Sequence, residues 1–269
     1  MELLEVIETR VVIGDGAMGT QLFAAGARPG ECLEEWCVTK PEIVQRIHEQ
    51  YIAAGARFIE TNSFGANAAR LAQFGHEHRV AELNWTAAQI AKAAAKGRDV
   101  CVAGSVGPLG VAQDRKRLFE DQIGALLDGG VQAIVLETFQ SLEEILVAVE
   151  VKHSLHHCPV VCCLACDDTG HLPDGTTLAT AFARLRAADA DIVGINCNAD
   201  PRALPALPAL LDGAPPLAAF PSAGVRHDLT PAAFAEIGCV LAARGVRLIG
   251  GCCGTTPAHI AAFADALRA

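Results

Sequence analysis

Short runs of consecutive apolar residues alternate along this chain with longer stretches whose apolar residues recur every three or four positions. Val11-Val12-Ile13, Phe58-Ile59, Val100-Cys101-Val102-Ala103 and Ala133-Ile134-Val135-Leu136 are the first four runs. Pro159 to Leu164, Asp191 to Ile195, Leu217-Ala218-Ala219-Phe220 and Val246-Arg247-Leu248-Ile249 are the other four. Runs apolar on both faces are what parallel strands covered by helices require. The intervening periodicity predicts helices over 41–54, 80–96, 118–128, 177–187 and 257–267. Two more open at Ser141-Leu142-Glu143-Glu144, which has the form of a capping box, and at Thr230-Pro231. Eight runs, each followed by a helix, fit a single α/β domain over residues 1–269, a (β/α)8 TIM barrel. A doubly wound open sheet is the alternative.

The polar clusters fall just after the runs: Asp15-Gly16-Ala17, Glu60-Thr61-Asn62-Ser63, Glu137-Thr138, Asn196-Cys197 and Pro221-Ser222-Ala223-Gly224. In a barrel this is the carboxyl-end face, where the chemistry of such folds resides. The last run ends in Gly250-Gly251-Cys252-Cys253-Gly254-Thr255-Thr256-Pro257. Adjacent side chains on a regular strand point to opposite faces, so two neighbouring thiols meet at one point only if the backbone leaves strand geometry. The flanking glycines permit that. Two convergent thiolates are half of a soft-metal site, with zinc the expected ion and Cys197 the best third ligand. A strained redox disulfide at Cys252-Cys253 is the competing reading. Cys162-Cys163 lie inside a run and should face opposite ways, so with Cys166 they are not expected to form a second metal site. Cys101, Cys158 and Cys239 read as core or surface thiols. Cys32 and Cys37 sit on the first long loop. His156-His157 and the remaining histidines, which lack a partner motif, read as solvated.

Composition narrows the partners. Among 269 residues, the formal charge of −10 makes nucleic acid and anionic membrane poor partners. No apolar run reaches the ~18 residues of a membrane span, and no basic region precedes an apolar segment at Met1-Glu2-Leu3-Leu4-Glu5. Eleven cysteines without a secretory signal point to reduced thiols in the cytoplasm.

Asp15-Gly16-Ala17-Met18-Gly19-Thr20, Glu60-Thr61-Asn62, Glu137-Thr138, Asn196-Cys197 and Gly250 to Thr255 together resemble the homocysteine S-methyltransferase family, in its order and spacing over essentially the whole chain. That resemblance implies zinc on Cys197, Cys252 and Cys253, with homocysteine sulfur in the fourth position as the nucleophile that accepts a methyl group to give methionine. It places the amino-acid head at Asp15, Gly16 and Glu137. Asp15 and Glu137 would meet the ammonium, and the amides near Gly16 and Ala17 the carboxylate. Glu60 and Asn196 complete the expected substrate contacts, Glu60 being equally readable as a structural acid. Donors within the family's range are S-methylmethionine, S-adenosylmethionine, and a methyl group from methylcobalamin or methylfolate; a quaternary ammonium donor is disfavoured by an aromatic content of 5%. A fused or partner reductase or corrinoid domain is compatible with the resemblance, whether the chain acts alone or is cut from a longer protein. A homocysteine- and zinc-holding module inactive with free donors is a further alternative. Two departures stand out: Trp36-Cys37-Val38 replaces the usual Leu-Asn-Leu, and Ser222 occupies the asparagine position of Pro-Asn-Ala-Gly.

Overall fold

The computed structural model describes residues 1–110, 112–197, 216–224 and 228–268. The helix expected after the sixth run, and the parts of the 1–269 span at 111, 198–215, 225–227 and 269, lie outside the described residues.

The eight runs are eight strands: β1 (Val12–Ile13), β2 (Phe58–Glu60), β3 (Cys101–Val106), β4 (Ala133–Phe139), β5 (Val160–Leu164), β6 (Ile192–Asn196), β7 (Leu217–Phe220) and β8 (Val246–Ile249). They form one parallel sheet in the order β1-β8-β7-β6-β5-β4-β3-β2. The two ends of that order meet through a Gly14–Phe58 bridge. There Arg57 N donates to Ile13 O at 2.7 Å and Asp15 N to Phe58 O at 2.9 Å. The result is a (β/α)8 barrel, as the alternation predicts, and not an open sheet.

Strand alternation sorts the core into two bodies. Phe58, Cys101, Ala103, Val135, Val161, Cys163, Ala218, Phe220 and Leu248 fill the barrel interior. Ile59, Val102, Ile134, Leu136, Cys162, Leu164, Val193, Ile195 and Ile249 face outward under the helices. Burying both faces accounts for the unbroken apolar runs.

Two features correct the sequence reading. A helix at Leu3–Thr9, too short to show a period, puts Leu3 and Ile7 into the interior cluster. Asp99, just ahead of β3, lies 3.7 Å from the Met1 ammonium and 3.8 Å from Arg10, so this helix closes the amino end of the barrel. The capping box at Ser141 forms only by half. Ser141 Oγ accepts from Glu144 N, but the Glu144 carboxylate accepts from Leu109 N at 2.8 Å and ties the loop after β3 to the helix Leu142–Leu155 that follows β4. No described helix is long and apolar enough to cross a membrane.

Candidate active site

The Cys252-Cys253 turn is held where its side chains cannot follow strand geometry. A Cβ on Gly250 would lie 2.7 Å from Asp15 O and from the Phe220 ring, and one on Gly251 2.5 Å from the Thr255 side chain. Only glycine lets β8 run this close to the first loop. Thr255 then locks the turn: its Oγ1 donates to Cys252 O at 2.7 Å and accepts from Ala17 N at 3.0 Å. Tyr51 Oη lies 3.0 Å from Ala17 O and 3.2 Å from Thr255 O, so the chain's one tyrosine pins the same junction from the helix Pro41–Ala53.

Cys197, one residue past β6, has φ of +72°, a left-handed conformation that costs a non-glycine residue of order 1–3 kcal/mol. That twist turns its thiol back over the mouth. The sulfurs of Cys197, Cys252 and Cys253 all lie within 4.8 Å of one another, and those of Cys197 and Cys253 are 3.7 Å apart. Tetrahedral zinc with Zn–S of about 2.3 Å spaces its thiolates about 3.8 Å apart, so the donor set fits that ion in chemistry and spacing. The hydrogen bond with Cys197 is the leading reason the Cys253 thiol is pushed up to about 11 and the Cys252 thiol well above its ordinary value. Thiols crowded in this way hold their protons until a cation displaces them. Among the described residues this is the one group of three or more such ligands.

Beside the thiols lie three carboxylates. Asp15 is buried and its Oδ2 accepts from Glu60 N at 3.0 Å. Glu137 accepts a short hydrogen bond from Ser105 Oγ and a longer one, 3.5 Å, from Asn196 Nδ2. Asn196 is itself anchored, accepting from Thr138 N at 2.8 Å and donating to Thr138 Oγ1 at 2.7 Å. Burial raises the pKa of Asp15, Glu60 and Glu137, and repulsion from Glu137 adds to it at Asp15 and Glu60. A cationic ligand would relieve all three at once. Of the expected carboxylate donors, Ala17 N is taken by Thr255, whereas Gly16 N has no acceptor among the described residues. Asp15, Gly16, Ala17, Glu60, Glu137, Asn196, Cys197, Cys252 and Cys253 thus all sit at the carboxyl ends of β1, β2, β4, β6 and β8.

Ser105 and Tyr51, which support these residues, are not singled out by the sequence, whereas Thr138, Thr255 and Ser222 stand in the motifs quoted above without a supporting role assigned to them. Ser105 and Thr138 do stand at or beside strand ends, which was the available signal. The other cysteines fall elsewhere: Cys162 and Cys163 point to opposite cores, and Cys37 donates to Asn62 O. His156 and His157 are exposed, as expected. His48 and His259 are buried, against expectation. The His259 ring spans Thr256 N and Leu229 O.

Residues 12–267 match the profile of the family described as homocysteine S-methyltransferase. The chain is 33% identical to methionine synthase of Mycobacterium tuberculosis and 31% identical to that of Mycobacterium leprae, with 99% of the chain aligned in each case. It spans about a quarter of the length of these curated relatives, 25% of each. The metallated form of the Escherichia coli homocysteine methyltransferase MmuM superposes with a TM-score of 0.83 at 29% identity, each chain being covered in full.

Proposed function

Because the chain belongs to the homocysteine S-methyltransferase family, we propose that it transfers a methyl group to the sulfur of homocysteine, yielding methionine. The observation that carries this reading is the convergence of three thiols from two strand-end turns beside three buried-edge carboxylates. A third thiol, 3.7 Å from that of Cys253 and within 4.8 Å of that of Cys252, favours a metal-holding trio over a two-cysteine redox couple. The metallated relative points the same way.

Cys197, Cys252 and Cys253 would hold zinc, which when bound supplies a Lewis acid that strips the proton from a thiol near neutral pH. Every other part of the work falls to the chain. Asp15, Glu60 and Glu137 take the acceptor's ammonium as charge-assisted hydrogen-bond partners, and Gly16 N offers a donor to its carboxylate. Held by its head at the carboxyl ends of β1, β2 and β4, the amino acid directs its side-chain sulfur toward the cysteines. The sulfur lone pair then forms the new S–CH3 bond as the methyl's bond to its donor breaks, the departing electron pair leaving with the donor. No side chain has to take a proton from the methyl group. The donor is a sulfonium such as S-methylmethionine or S-adenosylmethionine, or a methyl carried on cobalamin or folate by a fused or partner domain. A thiol-based centre needs a reducing compartment, so the cytoplasm belongs to the same proposal.

The test is a donor panel with zinc-loaded protein and homocysteine, scored by mass spectrometry for methionine. Methionine from either sulfonium establishes a self-sufficient enzyme, and methionine from methylcobalamin alone establishes dependence on a corrinoid domain. If stoichiometric zinc and homocysteine bind and no donor yields methionine, the enzymatic reading fails in favour of a substrate-holding module.

A further inference from the structure

The three cysteines come from two turns that do not touch by strand pairing, since β7 lies between β6 and β8. Their relative placement therefore depends on what leaves the end of β7. Five hydrogen bonds from one five-residue segment, 220–224, answer this. Phe220 O accepts from Cys197 N at 3.3 Å, and Pro221 O accepts from Cys252 N at 2.9 Å. Ala223 N and Gly224 N donate to Cys253 O at 2.8 Å and 3.2 Å. Ser222 Oγ donates to Cys197 O at 2.9 Å. Each ligand-bearing residue is thus tied to the same short segment, on which Pro221, Ser222 and Ala223 are buried. Gly224 has no room for a side chain: a Cβ there would lie 2.9 Å from Gly254 Cα.

Four of the five bonds are between backbone groups and indifferent to side-chain identity. The fifth is not. It acts on Cys197, whose backbone is in the left-handed region, and it is made by a side chain and not by the backbone. Resting on the zinc reading above, we propose that Ser222 is a positioning residue of the metal centre. By donating to Cys197 O it holds the left-handed turn that brings the Cys197 thiol to the Cys252-Cys253 pair.

The experiment measures zinc retention by competition with a chromophoric chelator, for the wild type, Ser222→Ala and Ser222→Thr, alongside melting of each protein stripped of metal. Loss of a partner that orients a metal ligand typically weakens metal binding by about 10–100-fold. The expected result is that Ser222→Ala releases zinc about tenfold more readily or worse. Ser222→Thr, which keeps the hydroxyl, should stay within about threefold of wild type by the same scale. The cobalt(II)-substituted alanine variant should show an altered thiolate-to-metal charge-transfer band, which a merely structural role would leave unmoved. Wild-type retention in Ser222→Ala, or equal losses in both variants, overturns the role of Ser222 while leaving the zinc reading intact. A wild type that takes up no zinc removes the zinc reading, and this inference with it.

Discussion

The chain carries two adjacent-cysteine pairs, and they have opposite fates. Cys162-Cys163 sits within β5, where alternation sends Cys162 to the outer core and Cys163 to the barrel interior, both fully buried. Cys252-Cys253 sits one glycine-lined turn beyond β8, partly exposed, with both sulfurs gathered near Cys197. Residue identity is the same in the two pairs. What differs is backbone geometry: a pleated strand separates neighbours, and a turn relieved of Cβ atoms at Gly250 and Gly251 lets them converge. Burial then sets their chemistry. Desolvation raises the Cys162 and Cys163 thiols and keeps them neutral, whereas the second pair has a third thiol and a mouth through which a cation can arrive.

The strongest way to break this contrast is to delete one sulfur from each pair. Cys252→Ala should abolish stoichiometric zinc and lower turnover by more than the about 10–100-fold that losing a mere supporting partner costs. Cys163→Ala should keep zinc and turnover while costing about 1–2 kcal/mol of stability, the scale of a small buried deletion. Metal analysis, kinetics and denaturant melts of both variants decide it, and full zinc with full activity in Cys252→Ala would sink the assignment.

Burial that enforces a neutral form is not confined to the thiols. His48, fully buried and with neither ring nitrogen bonded among the described residues, is pushed down to about 4. The unfolded chain binds this proton near pH 6.5 and the fold resists it. His48 therefore contributes stability above pH 6.5 that is lost as pH falls toward 4, by about 3 kcal/mol in all. Urea titrations of wild type and His48→Gln across that window should show a shallower pH dependence in the variant. Parallel curves would remove this role from His48.

The smallest effect is a difference in labelling. A thiol reagent at mildly alkaline pH should modify the partly exposed Cys197, Cys252 and Cys253 in the folded protein, with zinc protecting them. Cys162 and Cys163 should react only on unfolding, because both are fully buried in the core. Peptide mass mapping after timed quenching separates the two classes, and early modification of Cys163 would contradict the interior placement.

Most of the strands and the carboxyl-end clusters were legible because they rest on local rules. Apolar runs report burial on both faces, and Gly-Gly before Cys252 reports a turn. The helix Leu3–Thr9 was not legible, since seven residues hold too little periodicity and its role lies in closing an interior assembled from every strand. Thr255 stands in the quoted cysteine motif, but its role was not legible. Its hydroxyl serves Ala17, 238 residues away, and no local pattern marks such a partner. Glu144 misled for a related reason: the capping-box form was present, but its carboxylate found Leu109 N at 2.8 Å across a loop.

By itself the sequence determined the alternating architecture, the residue types at each strand end and a thiol pair on a glycine turn, all consequences of short-range sterics and of which surfaces avoid water. Only the tertiary structure decided that Cys197 swings into a left-handed turn to meet that pair. Only it decided that residues 220–224 tie all three cysteines, and that Ser105 and Asn196 fasten on Glu137. These depend on strands distant in sequence becoming neighbours when the barrel closes, and a hydrogen bond between distant residues leaves no trace in the local order of either one.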